Sequence, residues 1–182
     1  MVKFKFDANK FKSLMRLLCA RVKDIDRLKA VKLLYFIDKQ SLISTGRPVL
    51  GDVYIRMDLG PVPSNALDLL EEFPIGDNGE SEFFYDEKTS VRYPSIISRI
   101  EPNLDIFSEA ELDCIGQVIE SLGKLSSKEL SVLSHNDCTW KESKKNSPID
   151  YKLFFKDNPV KNRFAFEAML SEQEDQEFLK NF

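Results

Sequence analysis

Apolar residues recur along this chain at two different periods, and the switch between them divides it into helical and extended stretches. Phe11, Leu14, Leu18 and Val22 repeat at helical spacing behind Asp7, whose carboxylate can cap the free N–H groups of a first turn. From Arg27 to Thr45 the stripe broadens. Leu28, Val31, Leu34, Tyr35 and Leu42 fall on one face, and Leu33, Phe36 and Ile37 widen it nearly round the helix. A helix apolar on most sides is buried on most sides, which places this one at the centre of the fold. Gly46 suits a left-handed cap, and Pro48 keeps the helix from resuming.

Residues Pro48 to Pro63 read as a compact non-helical segment. Val53, Tyr54, Ile55 and Met57 favour extended backbone. Gly60-Pro61-Val62-Pro63 predicts a rigid turn, because proline locks φ and glycine removes the Cβ clash. Ser64 is placed to cap a short helix ending near Phe73, before Pro74 and the Gly76-Asp77-Asn78-Gly79 cluster. Phe83, Phe84 and Tyr85, a polar Asp86-Glu87-Lys88-Thr89 stretch, and then Val91, Tyr93, Ile96 and Ile97 predict a β-hairpin, with Pro94 pushing its second arm to an edge.

Helical signals then return. Ser108 with Glu111 and Ser126 with Glu129 are two capping boxes. The first opens a helix through Leu112, Ile115, Val118, Ile119 and Leu122 that closes at Gly123, and the second opens a shorter one with Leu130 and Leu133. The run from His135 to Trp140 turns into another short helix. Ser147-Pro148 and Asn158-Pro159 both resemble helix starts, a cap followed by proline. The last helix is expected from Pro159 to about Leu170, followed by an acidic stretch from Ser171 to Phe182 that reads as a frayed helical tail. The fold class that follows is mainly α, a single compact helical domain over residues 1–170 with a small β-hairpin and a C-terminal acidic tail over residues 171–182.

Length and composition leave this picture intact. A chain of 182 residues can bury a core without disulfides or metal staples. The net charge of −4 argues against a nucleic-acid binder, although Lys3, Lys5, Lys10, Lys12 and Arg16 gather basic charge on the first segment. Cys19, Cys114 and Cys138 form no CxxC pair and no zinc spacing, which points to thiols used as small apolar residues in a reducing cytoplasm. No apolar run reaches the ~18 residues that a membrane span needs.

Candidate chemistry is sparse. A single His excludes a site built on several imidazoles. His135 and Cys138 stand close enough in sequence to invite a Cys–His nucleophile, but no orienting partner or oxyanion turn accompanies them. Asp24, Asp26, Asp38, Asp52 and Asp58 could be ligands of a hard cation, but they lie on different elements and read mostly as surface or cap residues. No phosphate-binding glycine motif is present. No cofactor is implied.

Two ordered sets of residues carry a resemblance. The first is Lys29-Ala-Val-Lys-Leu-Leu-Tyr-Phe-Ile-Asp38, then Gly46-Arg-Pro48, then Gly60-Pro-Val-Pro63. The second is Leu125-Ser-Ser-Lys-Glu-Leu-Ser-Val-Leu-Ser-His135 followed by Trp140-Lys141. In that order they resemble the Panacea, or SocA-like, antitoxin domain of bacteria and prophages, over about residues 27 to 145. The resemblance implies a largely helical protein without enzymatic activity that neutralises a cognate protein toxin by direct binding. The founding SocA-like member acts instead as an adaptor delivering its toxin to a ClpXP-type AAA+ protease, which is the alternative the resemblance implies.

A protein of this kind works through its surface. The rigid stretch carrying Tyr54, Arg56, Met57, Asp58, Gly60 and Pro61 is one candidate partner-binding edge, and the junction carrying His135 and Trp140 is a second. Tyr54, Met57 and Trp140 are also residue types that fill cores, so residue type alone leaves both roles open.

Overall fold

The computed structural model describes residues 2–90 and 92–180, with side chains described as far as residue 175. Val91 and Phe182, and the side chains of Glu177, Phe178 and Leu179, lie outside the described residues. Among the described residues, seven α-helices and two antiparallel two-stranded sheets form a mainly α fold.

Helix α1 (Ala8–Arg21) is capped by the Asp7 carboxylate, which accepts from the N–H groups of Asn9 and Lys10 at 3.0 Å each. Helix α2 (Arg27–Thr45) begins at an Asp26 cap and ends at Gly46, whose φ of 85° is the left-handed value expected of a C-terminal glycine. Helix α2 is the hub of the molecule. Helices α4 (Glu109–Leu122) and α5 (Ser127–His135) pack against it, as do strand β2 (Gly60–Pro63) and helix α7 (Arg163–Lys180). One core lies on its Leu33, Leu34 and Ile37 side, with Phe11, Leu14, Leu70, Ile115 and Leu130. A second, aromatic core collects Tyr35, Tyr54, Tyr151, Phe154 and Met169 on the other.

Being surrounded, α2 also buries polar groups: Lys29, Lys32, Asp38 and Ser41 are all nearly sealed from solvent. Asp38 accepts from the N–H groups of Leu50 at 2.7 Å and Gly51 at 3.2 Å, and from the Tyr54 hydroxyl at 2.9 Å. It ties the segment after Gly46 back onto the helix. Asp52, also fully buried, caps helix α3 (Ser64–Glu71). Its carboxylate accepts from the N–H groups of Asn65 at 2.9 Å and Ala66 at 2.8 Å. Of the five aspartates expected to be mostly surface or cap residues, Asp38 and Asp52 are therefore core residues, and Asp52 also serves as a cap. Ser64, expected to cap this helix, is its first residue, and its N–H bonds to the Val53 carbonyl at 2.9 Å.

The expected hairpin is present as β3 (Phe83–Asp86) with β4 (Ser95–Ser98). A second one was not foreseen. Gly60-Pro-Val-Pro63 is a strand, not a turn, because β1 (Tyr54–Met57) pairs with it from Tyr54↔Pro63 to Met57↔Gly60 and the reversal falls at Asp58-Leu59. Proline is tolerated there because β2 is an edge strand. Ser147-Pro148 starts no helix. It lies along the other edge of β1, with the Arg56 N–H donating to the Ser147 carbonyl and the Ile149 N–H to the Tyr54 carbonyl. Helix α7 begins at Arg163, a turn later than Asn158-Pro159 suggested, and runs unbroken past Leu170. Its Ala165, Ala168 and Met169 cross Gly46 so closely that a Cβ there would stand 2.7 Å from the Ala165 carbonyl oxygen.

Candidate functional site

Hairpin β1–β2 lies between α5 and the short helix α6 (Cys138–Glu142), so the two stretches singled out in the sequence form one surface. Local chemistry explains the docking. The capping box of Ser126 and Glu129 starts α5, and the small residues Ser131 and Ser134 leave room on its inner face for the hairpin backbone. Ser131 Oγ donates to the Leu59 carbonyl at 2.9 Å. The His135 ring meets the Asp58 carbonyl through Nε2 at 2.9 Å. Asp137 caps α6, and Trp140 Nε1 donates to the Met57 carbonyl at 2.8 Å.

Arg56 completes the brace. Its Nε donates to the Trp140 carbonyl at 2.8 Å, and its guanidinium carbon lies 4.2 Å from the centre of the indole. The His135 ring centre lies 4.4 Å from that indole. Asp58 pairs with Lys145 at 2.6 Å, which holds its carboxyl below the usual carboxylate range. The hairpin tip is thus held on both flanks.

The eight residues singled out fall into two layers. Arg56, Met57, Asp58, His135 and Trp140 are at least partly exposed, whereas Tyr54, Gly60 and Pro61 are buried. The Tyr54 hydroxyl is spent on Asp38 and lies in the aromatic core, so this residue shapes the face from beneath rather than touching a partner. Gly60 and Pro61 sit over Lys32, whose Nζ donates to the Pro61 carbonyl at 2.8 Å. Burial pushes the Lys32 ammonium down to about 7. At Gly60, where φ is 99°, a Cβ would collide with Ser134 Oγ and stand 2.8 Å from Lys32 Nζ.

Several members of the face escaped the sequence reading. Leu59 is 59% exposed and Val132 55%. Val132 and Leu133 line, with Leu125 and Lys128, a shallow depression of about 350 Å³. The spacing Ser131-x-x-Ser134 was the available signal, since two small polar residues on one helical face mark a close backbone approach. A larger groove of about 700 Å³, between the α1–α2 and α4–α5 connections, is lined by charges of both signs, including Lys29, whose ammonium is bonded to the Lys23 carbonyl at 2.9 Å.

Reactive chemistry does not assemble at the face. Cys138 Sγ donates to Glu142 at 2.9 Å, and burial together with that carboxylate pushes the thiol up to about 11, the reverse of what a nucleophilic thiolate needs. Among the described residues no group of three or more His, Cys, Asp or Glu side chains could hold a metal ion. In the basic first segment, Lys10 is paired with Glu111 at 2.6 Å and Arg16 with Glu82 at 2.5 Å, so part of that charge is already neutralised. No described helix is long and apolar enough to cross a membrane.

No curated protein and no solved structure matches the chain significantly. The family model described as antitoxin SocA-like, Panacea domain, matches residues 31–141, more than half of the chain, from the buried helix α2 through the hairpin to Trp140 on α6. This chain therefore belongs to the SocA-like antitoxin family with the Panacea domain.

Proposed function

We propose that this protein is a non-enzymatic antitoxin of the cytoplasm that neutralises a cognate protein toxin by direct binding, through the face built from β1–β2, α5 and α6. The observation that carries the reading is the convergence of both motif segments on one braced surface within the family-matched region. Exposed Met57, Leu59, Val132 and Leu133 give that surface an apolar centre. A held backbone lowers the ordering cost of association, which favours capture of a second polypeptide.

Co-expression tests it. The product of the adjacent open reading frame should arrest growth when expressed alone, and this chain should restore growth and co-purify with it at a stable stoichiometry. A harmless neighbour, or rescue without a complex, refutes the reading. Direct neutralisation also requires that the toxin's half-life not be shortened by the antitoxin. A protease-dependent fall in toxin level would establish delivery to a protease instead.

A further inference from the structure

The charges around this face are unevenly spent. Two of the acidic groups on it are ion-paired, Asp58 with Lys145 and Glu142 with Lys156, while Glu129 keeps its charge and accepts hydrogen bonds from Ser126 in the capping box. Lys128, Lys141 and Lys144 are exposed and form no ion pair among the described residues. Unpaired positive charge thus forms a basic rim on α5 and α6, with Lys128 beside Val132 and Leu133, Lys141 on α6 and Lys144 just after it, on a protein whose net charge is −4.

Such a rim could attract either phosphates or carboxylates. The centre decides between them. Single-stranded nucleic acid is held by bases stacked on open aromatic faces. The one aromatic ring here with that shape, Trp140, is already covered by the Arg56 guanidinium and crowded by the His135 ring, and its N–H is spent on the Met57 carbonyl. What remains open is aliphatic: Leu59, Val132 and Leu133. Aliphatic side chains next to a shallow depression, with Lys128 in its lining and Lys141 and Lys144 unpaired on the α6 side, match a protein that inserts an apolar residue and meets the lysines with Asp and Glu.

Resting on the antitoxin reading, we infer that the partner of this face is a protein surface with an apolar plug ringed by carboxylates, seated against α5 at Val132 and Leu133 and steered by Lys128, Lys141 and Lys144. The rim sets the speed and salt dependence of encounter, and the aliphatic centre sets the lifetime of the complex.

The test uses the full chain and the product of the adjacent open reading frame, with binding measured at low and at physiological salt. The surface triple variant K128E/K141E/K144E should lower affinity roughly 100-fold and abolish the loss of affinity with added salt. Val132→Asp should act mainly on the dissociation rate. Phe164→Ser, on the exposed side of α7 outside this face, should bind as the parent does. Parent-like binding by both the triple variant and Val132→Asp, with the complex still forming, overturns this inference and leaves the antitoxin reading standing. Absence of any complex with the parent chain overturns both. A salt-sensitive shift of a poly-uridine RNA by the parent chain, lost in the triple variant, overturns the inference in favour of a nucleic-acid partner.

Discussion

At Gly60 the backbone passes under α5 with φ 99° and with no room for a side chain. Gly60→Ala would place a methyl group against Ser134 Oγ and the Lys32 ammonium and also force alanine into left-handed backbone. A loss of about 2 to 4 kcal/mol is expected, read as a fall in thermal midpoint. Buried ionisable residues on α2 give a second residue-scale expectation. Burial lowers Lys32 to about 7 from 10.5, so in the folded chain it releases its proton earlier than in the unfolded chain. The unfolded state then binds more protons between pH 7 and 10.5, and this residue's contribution to stability rises through that window. Asp38 is raised by burial to about 7 from 3.8, so its contribution falls as pH rises from 3.8 to 7. Denaturant titrations of the parent should therefore show a rise above pH 7 that Lys32→Met removes, while the acid-side slope stays in place. These residues were hard to see in the sequence because a helix with apolar residues nearly all round gives no hint that a lysine between them is also inside. Tyr54 is a similar case: its residue type allowed both core and interface, and only the Asp38 carboxylate beside it decided.

Elements whose signals are local were legible in advance. Asp7, Gly46 and the two capping boxes act within one turn of the helix they bound, and each does what its neighbours in sequence imply. Helix α3 is different, because its first N–H groups are satisfied by Asp52, separated from them by the whole β1–β2 hairpin. Asp52→Ala should cost about 2 to 3 kcal/mol, more than an ordinary cap, since Val53, Asn65 and Ala66 all donate to this carboxylate. Urea unfolding checks the figure, and Ser64→Ala is the matched control with little expected effect. Strand β2 was read as a turn for the same reason. Nothing within Gly60-Pro-Val-Pro63 announces a partner, and its pairing with Tyr54–Met57 is a fact of the tertiary structure. The face was half legible: both of its segments stood out in the sequence, but not their contact, nor the exposed Leu59 and Val132 between them.

On the scale of the molecule, α2 is in contact with helices from both halves of the chain, so neither half has a core independent of it. Unfolding followed by far-ultraviolet circular dichroism and by fluorescence should therefore trace one coincident transition. The acidic end of α7 is peripheral to that cooperative unit. Its described ties to the body beyond Leu170 include the Arg47–Glu172 ion pair at 2.7 Å and the Lys3 N–H bond to Gln173 at 3.1 Å. Truncation after Leu170 keeps Ala165 and Met169 on Gly46, and should lower stability by no more than about 1 kcal/mol while leaving growth rescue intact. Loss of rescue without loss of folding would give the acidic segment a role of its own in the antitoxin. The position of Trp140 has a practical corollary. It is the chain's one tryptophan, and it lies at the candidate docking face with a guanidinium and an imidazole against its ring. If the proposed face takes the partner, emission from this indole should shift on its arrival, and occupancy could then be titrated optically with no label attached.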